Sequence, residues 1–248
     1  MSRVTLLTAQ LLRRGRLLLS PPAIGASFAS QAQSKPASGQ ASGKGKQCWK
    51  CKAILPVHAL ICTNGKCGAV VPLSDHVNYF DVLVGTPTFD IDVQDVRKRF
   101  LRAQQQTHPD NFSVLGEMDR RMAETQSSWL NRAYNTLKNP YERAKYMLEL
   151  QGIYISEEES IQEPEFLEQV FEINEALDDA VDKKAVKAIK VDNDERIKHV
   201  SSQLSEAFEQ SDLMEARILT IKLRYWDNVK DIVDNWAPTP VVNNPHTG

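Results

Sequence analysis

A proline between two long helical patterns constrains the fold of this chain more than any other feature. Residues 93–107 and 118–137 both carry apolar side chains at helical spacing, and between them lie His108, Pro109 and Asp110. Because Pro109 cannot continue a helix and disfavours the α conformation at His108, the first helix must end there. The sequence therefore predicts two packed helices joined by an exposed turn, which presents an imidazole and a carboxylate.

The apolar positions of these segments indicate which helix faces are buried. An aromatic segment precedes them and offers Tyr79, Phe80 and Leu83 to a small core. Asp90 or Asp92 is suited to cap the second helix. The predicted buried stripe of the second helix is Val96, Phe100, Ala103 and Thr107. The predicted stripe of the third helix is Met118, Met122, Thr125, Trp129 and Ala133, widened by Leu130, Tyr134 and Leu137.

The second helix also carries a stripe of positive charge. Lys98 and Arg102 are four residues apart and point away from Phe100, so they share one exposed face. One interpretation is a simple solvated surface. The other is that the stripe meets an acidic surface on a partner and sets the rate and register of binding.

The aromatic first helix, the basic second helix, the His-Pro-Asp turn (residues 108–110) and the long third helix together resemble a J domain, here residues 75–148. The alternative is a chance tripeptide in a surface loop, because three residues alone are weak evidence. The resemblance implies a helical hairpin that contacts a DnaK-type ATPase chaperone and stimulates its ATP hydrolysis. The implied contact residues are His108, Pro109, Asp110, Lys98 and Arg102, with Asp110 bonded to an arginine of the chaperone.

All four cysteines of the chain lie within twenty residues, in two short-spaced pairs: Cys48 and Cys51, then Cys62 and Cys67. Two such pairs, each on its own turn, present four thiolates tetrahedrally to zinc. The competing interpretations are two disulfides, which a reducing compartment disfavours, and a redox pair at Cys48 and Cys51, which more often opens a helix of a larger α/β fold. We predict a structural zinc in a cysteine module of residues 48–72, to which the metal supplies the folding energy.

Residues 1–47 have the composition of a targeting segment and linker. Residues 1–20 are basic, rich in leucine and free of acidic residues, and the following residues are rich in Ser, Ala, Gly, Pro and Gln. This is typical of a mitochondrial transit peptide followed by a disordered linker, so we expect the protein in the mitochondrial matrix. The alternatives are a plain basic tail and a secretory signal, although arginines interrupt the apolar run that a secretory signal needs. We expect no membrane-spanning segment.

Beyond residue 140 the chain carries helical patterns without strand-like alternation. A short pattern at 141–152 ends at Gly152, as helix C-termini commonly do. Three longer patterns follow, at residues 164–180, 182–210 and 212–235. The predicted fold class is therefore all-α, with an antiparallel three-helix bundle at residues 153–237 and a tail at residues 238–248.

The first helix of this bundle has two apolar faces. Its predicted buried stripe is Phe166, Val170, Ile173 and Leu177. Leu167 and Phe171 lie about 100° further around the helix, among glutamates. They form either an exposed docking patch or the edge of a wide face that packs under a neighbouring helix. In the last helix, Tyr225 taken alone is more typical of a core residue than of a contact residue.

The cysteine module, the J-like region, the segment 140–152 and the acidic bundle together resemble the HscB/Jac family of mitochondrial co-chaperones in iron–sulfur cluster biogenesis. The resemblance covers about residues 48–235, and it implies that the bundle binds the cluster scaffold protein and delivers it to the chaperone. The implied scaffold contacts are Leu167, Phe171 and Tyr225. Glu168 departs from the apolar residue that bacterial relatives have at that position.

Charge and composition exclude several other classes of protein. All 32 Asp and Glu residues lie at or after Asp75, whereas ten of the 30 Lys and Arg residues precede it, so residues 75–248 carry a net charge of −12. A nucleic-acid-binding protein normally has the opposite sign on its folded part. An enzyme centred on the cysteines lacks an acid–base cluster, because the five histidines, including His58 between the cysteine pairs, are scattered. We expect a non-enzymatic protein, and the runner-up function is a general J-domain co-chaperone for unfolded clients.

Overall fold

The computed structural model of the protein describes residues 45–112 and 116–237. Most of the predicted targeting segment and the whole of the predicted tail lie outside the described residues. The described part is helical apart from one short sheet, which confirms the all-α prediction. The strands are β1 (Lys46–Gln47) and β2 (Ile54–Leu55). The helices are α1 (Tyr79–Leu83), α2 (Val93–Thr107), α3 (Glu117–Lys138), α4 (Pro140–Leu150), α5 (Pro164–Asp178), α6 (Lys183–Glu209) and α7 (Leu213–Asp234), with a 3-10 helix at Pro109–Phe112.

Two hairpin-like contacts build the cysteine module. β1 and β2 pair antiparallel, and β1 belongs to the segment that composition predicts to be linker. A second antiparallel contact joins Ile61 to Val70. The Cys62 N–H donates to the Ala69 carbonyl oxygen (2.8 Å) beside it. The module therefore starts at Lys46, two residues before the predicted boundary.

Local signals set the ends of the helices in the J-like region. Asn78 caps α1 by accepting a hydrogen bond from the Asp81 N–H (3.0 Å). Asp92, one of the two predicted caps, begins α2. At the end of α2 the backbone of His108 is extended, with ψ of 130°, as the following Pro109 requires.

α2 and α3 pack against each other through their apolar faces. Val96, Ala103 and Thr107 of α2 are buried, as the spacing predicts. Phe100 is partly buried and stacks on Tyr134 of α3, with ring centroids 4.5 Å apart. This hairpin holds the His-Pro-Asp turn at one end.

The buried face of α3 is rotated from the predicted face. Met118 is 58% exposed and Thr125 is also exposed, so both predictions of burial are wrong. Asp119, Ala123 and Gln126 are buried instead, and each lies one residue after a predicted position, about 100° around the helix. The reason is that the cysteine module covers this face of α3, a tertiary contact that the spacing within one helix does not contain.

α4 ends at the predicted glycine. Gly152 has φ of +78°, and its N–H donates to the Glu149 carbonyl oxygen (2.9 Å). The Ile153 N–H donates to the Leu148 carbonyl oxygen (2.9 Å), which completes the pair of bonds of a Schellman cap. The left-handed conformation at Gly152 turns the chain away from α4 and towards the bundle.

α5, α6 and α7 form the predicted three-helix bundle, in which α7 packs on both α5 and α6. Leu219, Leu223 and Trp226 of α7 are buried, and Asn193 of α6 donates from its side chain to the Trp226 carbonyl oxygen (2.9 Å). On α5 the predicted stripe faces inward. Its buried members are Phe166, Ile173 and Leu177, and Val170 is half-buried.

The J-like region and the bundle share one apolar core. α4 packs on both α3 and α7, and its Ala144 and Leu148 are fully buried. Phe89 and Phe208 stack across the junction with ring centroids 5.7 Å apart. The Asn139 side chain, which caps α4, also donates to the Asp227 carboxylate of α7 (3.1 Å). The two bodies are therefore held in a fixed relation.

Candidate functional site

The His-Pro-Asp turn presents polar groups on a backbone that is fixed from both sides. The side chains of His108 and Asp110 are 55% and 89% exposed. The Asp110 N–H donates to His108 Nδ1 (3.3 Å), and the same ring nitrogen lies 3.6 Å from the Asp110 carboxylate. The Asn111 N–H donates to the His108 carbonyl oxygen (3.0 Å), and the Asn111 side chain donates to Gln105 at the end of α2 (2.8 Å). The turn can therefore offer a carboxylate to a cation on another protein without first becoming ordered.

Positive charge lies on the adjacent face of α2. Lys98 and Arg102 are exposed, and within the described part of the chain neither has a carboxylate within 4.0 Å. Leu101, which is 52% exposed, lies beside Arg102. Arg99 differs, because its side chain donates a hydrogen bond to the Asp95 carboxylate on the same helix (2.8 Å). Lys98 and Arg102 therefore form an exposed positive surface on α2, the helix that ends at the His-Pro-Asp turn.

The four cysteine sulfurs converge as the spacing predicts. All four Sγ atoms lie within 4.8 Å of one another; Cys48 and Cys67 are 3.8 Å apart, and Cys51 and Cys62 are 3.5 Å apart. A disulfide bond would require about 2.05 Å between sulfurs. Four thiolates about 2.3 Å from a tetrahedral metal ion are about 3.8 Å from one another. The cluster therefore has the dimensions of a four-thiolate metal site, and His58 lies outside it.

The thiols of this cluster differ in pKa, and a cation is needed to keep all four deprotonated. A backbone hydrogen bond from Ala53 lowers the pKa of Cys51 to about 6. Burial raises the pKa of Cys62 to about 12, and the pKa of Cys67 is also raised. Without a metal ion, the cluster cannot hold four thiolates at neutral pH. A bound cation removes this penalty, because it stabilises the deprotonated form of each ligand.

The two residues predicted at the edge of α5 are on its surface. Leu167 is 40% exposed and Phe171 is 64% exposed, and both lie among exposed glutamates such as Glu168 and Glu172. We call Leu167 and Phe171 the α5 patch. Its exposure excludes the alternative that these side chains pack under a neighbouring helix of this bundle.

Tyr225 occupies an intermediate position between core and surface. It is half-buried, and its ring contacts the edge of Phe166 with ring centroids 5.4 Å apart. Phe166 precedes Leu167 directly, so Tyr225 packs on the helix that carries the α5 patch.

A set of contacts between the cysteine module and α3 has no counterpart in the sequence predictions. Val70 is fully buried against Phe112 and Ala123. Gln126 donates from its side chain to the Val71 carbonyl oxygen (2.8 Å), and Lys50 Nζ is 3.5 Å from the carboxylate of Asp119. The sequence signal for this contact is the i, i+4, i+7 spacing of Asp119, Ala123 and Gln126, which places them on one face of the helix. Polar residues on a buried face require polar partners, so this face predicts a contact with another element.

Comparison with known proteins places this geometry in a family. Residues 162–234 match the family profile of the HSCB C-terminal oligomerisation domain. The chain is 32% identical over 200 residues to the iron-sulfur cluster co-chaperone protein HscB of Mus musculus, covering 78% of this chain and 85% of the mouse protein. It is 35% identical over 158 residues to the mitochondrial J-type co-chaperone JAC1 of Saccharomyces cerevisiae, covering 61% of this chain and 82% of the yeast protein.

Solved structures show the same fold. The crystal structure of human co-chaperone protein HscB matches with a TM-score of 0.66 at 30% identity, covering 76% of this chain and 97% of the human one. Chaperone HscB from Vibrio cholerae matches with a TM-score of 0.55 at 33% identity, covering 64% of this chain and 96% of the bacterial one. In the part of this chain that the structure describes, no helix is long and apolar enough to cross a membrane.

The cysteine cluster should bind one metal ion per chain and release protons when it does so. Because Cys62 and Cys67 are protonated at pH 7 in the metal-free form, metal binding to reduced protein should release at least two protons. Elemental analysis and titration in weak buffer measure both quantities. Cys62→Ser should abolish binding, whereas His58→Ala should leave it unchanged. A metal-free protein, or equal binding by Cys62→Ser, contradicts this assignment.

Proposed function

The chain belongs to the HscB/Jac1 family of iron–sulfur cluster co-chaperones, and we propose that it binds a cluster scaffold protein and delivers it to a DnaK-type chaperone, whose ATP hydrolysis it stimulates. One observation carries this proposal: a single continuous core holds both an exposed His-Pro-Asp turn and an exposed apolar patch. The runner-up, a general co-chaperone for unfolded clients, would need an apolar groove such as a β-sandwich domain offers. The described residues form only a two-stranded sheet, which gives that function no support.

We divide the work among three parts of the chain. Residues 75–148 are the J domain, which contacts the chaperone, and residues 153–237 are the bundle, which contacts the scaffold. The cysteine module precedes them from Lys46 to residue 72. The end of α4 at Leu150 and the start of α5 at Pro164 support a division of the chain between these two helices.

Within the J domain, each residue of the turn has a distinct role in this proposal. Asp110 accepts a charge-assisted hydrogen bond from an arginine of the chaperone, the strongest class of hydrogen bond between proteins. Pro109 fixes the extended conformation at His108, whose ring accepts the Asp110 N–H and so orients the acid. Lys98 and Arg102 face an acidic surface of the chaperone and accelerate association.

Within the bundle, the α5 patch supplies the apolar anchors for the scaffold. Exposed aromatic and aliphatic side chains surrounded by charge are typical of a docking site, in which the apolar centre gives affinity and the charged rim gives specificity. Tyr225 extends the patch on the side of α7. Glu168 and Glu172 add negative charge to its rim, which favours a scaffold surface with nearby cations.

For the metal ion we propose zinc, in a structural role. Four thiolates fill a tetrahedral site and leave no open ligand position, as is typical of structural zinc, and Cys48 and Cys62 are also buried. Iron is the competing ion for such a site. It would give the purified protein visible absorption, so a coloured protein would overturn the choice of zinc.

Replacing His108, Pro109 and Asp110 by alanine should abolish stimulation of the chaperone's ATPase and leave the fold intact, because the turn is exposed. The conservative change Asp110→Asn should raise the half-maximal concentration about 10- to 100-fold, the equivalent of one hydrogen bond to a charged group. Steady-state ATP hydrolysis at increasing co-chaperone concentration measures the effect, and circular dichroism checks folding.

Asp75→Asn is the matched control for that experiment, because it removes an exposed acid from the same region at a distance from the turn. It should retain full stimulation. Unchanged stimulation by the triple alanine variant would contradict the assignment of the chaperone contact.

Phe171→Ala and Leu167→Ala should each weaken scaffold binding about tenfold or more, as truncation of an interface anchor does. Calorimetry with purified scaffold protein measures the dissociation constant. Phe171 is 64% exposed and Leu167 is 40% exposed, so the thermal midpoint should change little in Phe171→Ala and more in Leu167→Ala, which truncates a partly buried side chain. Tyr225→Phe tests the third contact without opening the packing on Phe166.

Val191→Ala is the control, since Val191 is 53% exposed on another helix of the same bundle. It should bind the scaffold normally. Equal weakening by all the variants would show that the α5 patch has no special role.

We propose the mitochondrial matrix as the site of action. The basic, acid-free residues 1–20 and the mitochondrial yeast relative support this location. A chain without residues 1–20 should remain in the cytosol, as cell fractionation would show. Continued import of the shortened chain would contradict the proposal.

A further inference from the structure

The cysteine module packs against the 3-10 helix that continues from the His-Pro-Asp turn. Val70 is fully buried in one apolar cluster with Phe112, which is 5% exposed, and Ala123 of α3. Ile61 and Met122 complete this small cluster. Phe112 is the last residue of the 3-10 helix that begins at Pro109, so one side chain of the module supports the segment that carries the turn.

The metal ligands determine where Val70 lies. Val70 is three residues after Cys67, and it pairs antiparallel with Ile61, which precedes Cys62. The Cys62 N–H donates to the Ala69 carbonyl oxygen (2.8 Å), and the Trp49 indole N–H donates to the Val70 carbonyl oxygen (2.8 Å). The backbone at Val70 is therefore connected to both arms of the cysteine cluster.

Two polar contacts fix the module on α3. The Gln126 side chain donates to the Val71 carbonyl oxygen (2.8 Å) in a buried position. Lys50, adjacent to Cys51, lies 3.5 Å from the Asp119 carboxylate, whose side chain is only 5% exposed. Both α3 residues are buried, and the module supplies a partner for the Gln126 amide and for one Asp119 oxygen, whereas Asp119 Oδ1 has no hydrogen-bond partner among the described residues.

Hydrogen bonds hold the turn on one side, and an apolar contact holds it on the other. The Asn111 hydrogen bonds to Gln105 and to the His108 carbonyl oxygen connect it to α2, and Phe112 connects it to the interior. A buried aromatic ring two residues from an exposed Asp110 restricts the backbone between them. Removing the surface on which that ring packs would leave the α2 side of the turn fixed and the α3 side free to move.

We infer that the cysteine module is a positioning element for the chaperone contact: metal binding orders Val70, and Val70 holds Phe112 and with it the backbone that presents His108 and Asp110. This inference rests on the proposed function of the turn. If Phe112 loses its contact with Val70, the backbone of the turn must become ordered during binding. At any time, only a fraction of the molecules is then in the conformation that binds the chaperone. The apparent affinity then falls, and the maximal rate of ATP hydrolysis remains.

Val70→Ala tests this inference in the full-length, metal-loaded protein. Val71→Ala is the matched control, because the same two methyl groups are removed one residue later, from a fully buried side chain that packs instead with Cys48 and Cys62. Both variants should retain the metal. Val70→Ala should increase amide hydrogen exchange at Asn111 and Phe112 severalfold, and Val71→Ala should not.

The ATPase assay should separate the two variants in the same way. Val70→Ala should raise the concentration for half-maximal stimulation severalfold at an unchanged maximal rate, and Val71→Ala should behave as wild type. Removing the metal from wild type by chelation should reproduce the Val70→Ala exchange pattern. In Val70→Ala, chelation should add little further exchange in the turn, because the contact is already lost.

The outcomes distinguish the failure of this inference from the failure of the proposed function. If wild type stimulates the chaperone and neither Val70→Ala nor chelation changes exchange in the turn or the half-maximal concentration, the positioning role is wrong. If wild type fails to stimulate at all, the proposed function is wrong, and the exchange data still decide whether the module orders the turn. A change of equal size in Val71→Ala would show a general loss of module stability and would also overturn the inference.

Discussion

The packing of α4 against both α3 and α7 is the contact on which the rest of the structure depends. Ala144 and Leu148 are fully buried there, and the Asn139 side chain both caps α4 and bonds to Asp227 of α7. Because this junction leaves one continuous core, the His-Pro-Asp turn and the α5 patch keep a constant separation and orientation. In the proposed function, a scaffold bound on one body would thereby be held in a defined position relative to a chaperone bound on the other.

Much of this fold follows from local features of the sequence, because the constraints that set helix ends act within a few residues. Pro109 ends α2, Asp92 begins it, and Gly152 supplies the left-handed residue that ends α4. Four cysteines at two short spacings were sufficient to predict their convergence. The exposure of Phe171 also follows from its angle around α5, although that angle alone leaves open whether another helix covers it.

What the sequence did not provide was the contact between elements that are distant along the chain. The buried face of α3 is determined by the module that covers it, so Asp119 and Gln126 are inside and Met118 is outside, against the order of their hydrophobicity. Burial of a helix face depends on its neighbour as well as on its own spacing. Conversely, a polar side chain at a core position of a helix predicts a hydrogen-bond partner, which must come from another element of the chain.

The α5 patch and the His-Pro-Asp turn differ in what keeps their backbones ordered. The α5 patch lies on a long helix whose backbone is ordered by its own hydrogen bonds, so its apolar side chains need no further support. The His-Pro-Asp turn is followed by only one short 3-10 helix, and its Asn111 hydrogen bonds connect it to α2. On its other side, the turn is ordered through the buried side chain of Phe112. In the proposed metal-bound form, the stability of this small site would become part of the geometry of the proposed chaperone contact.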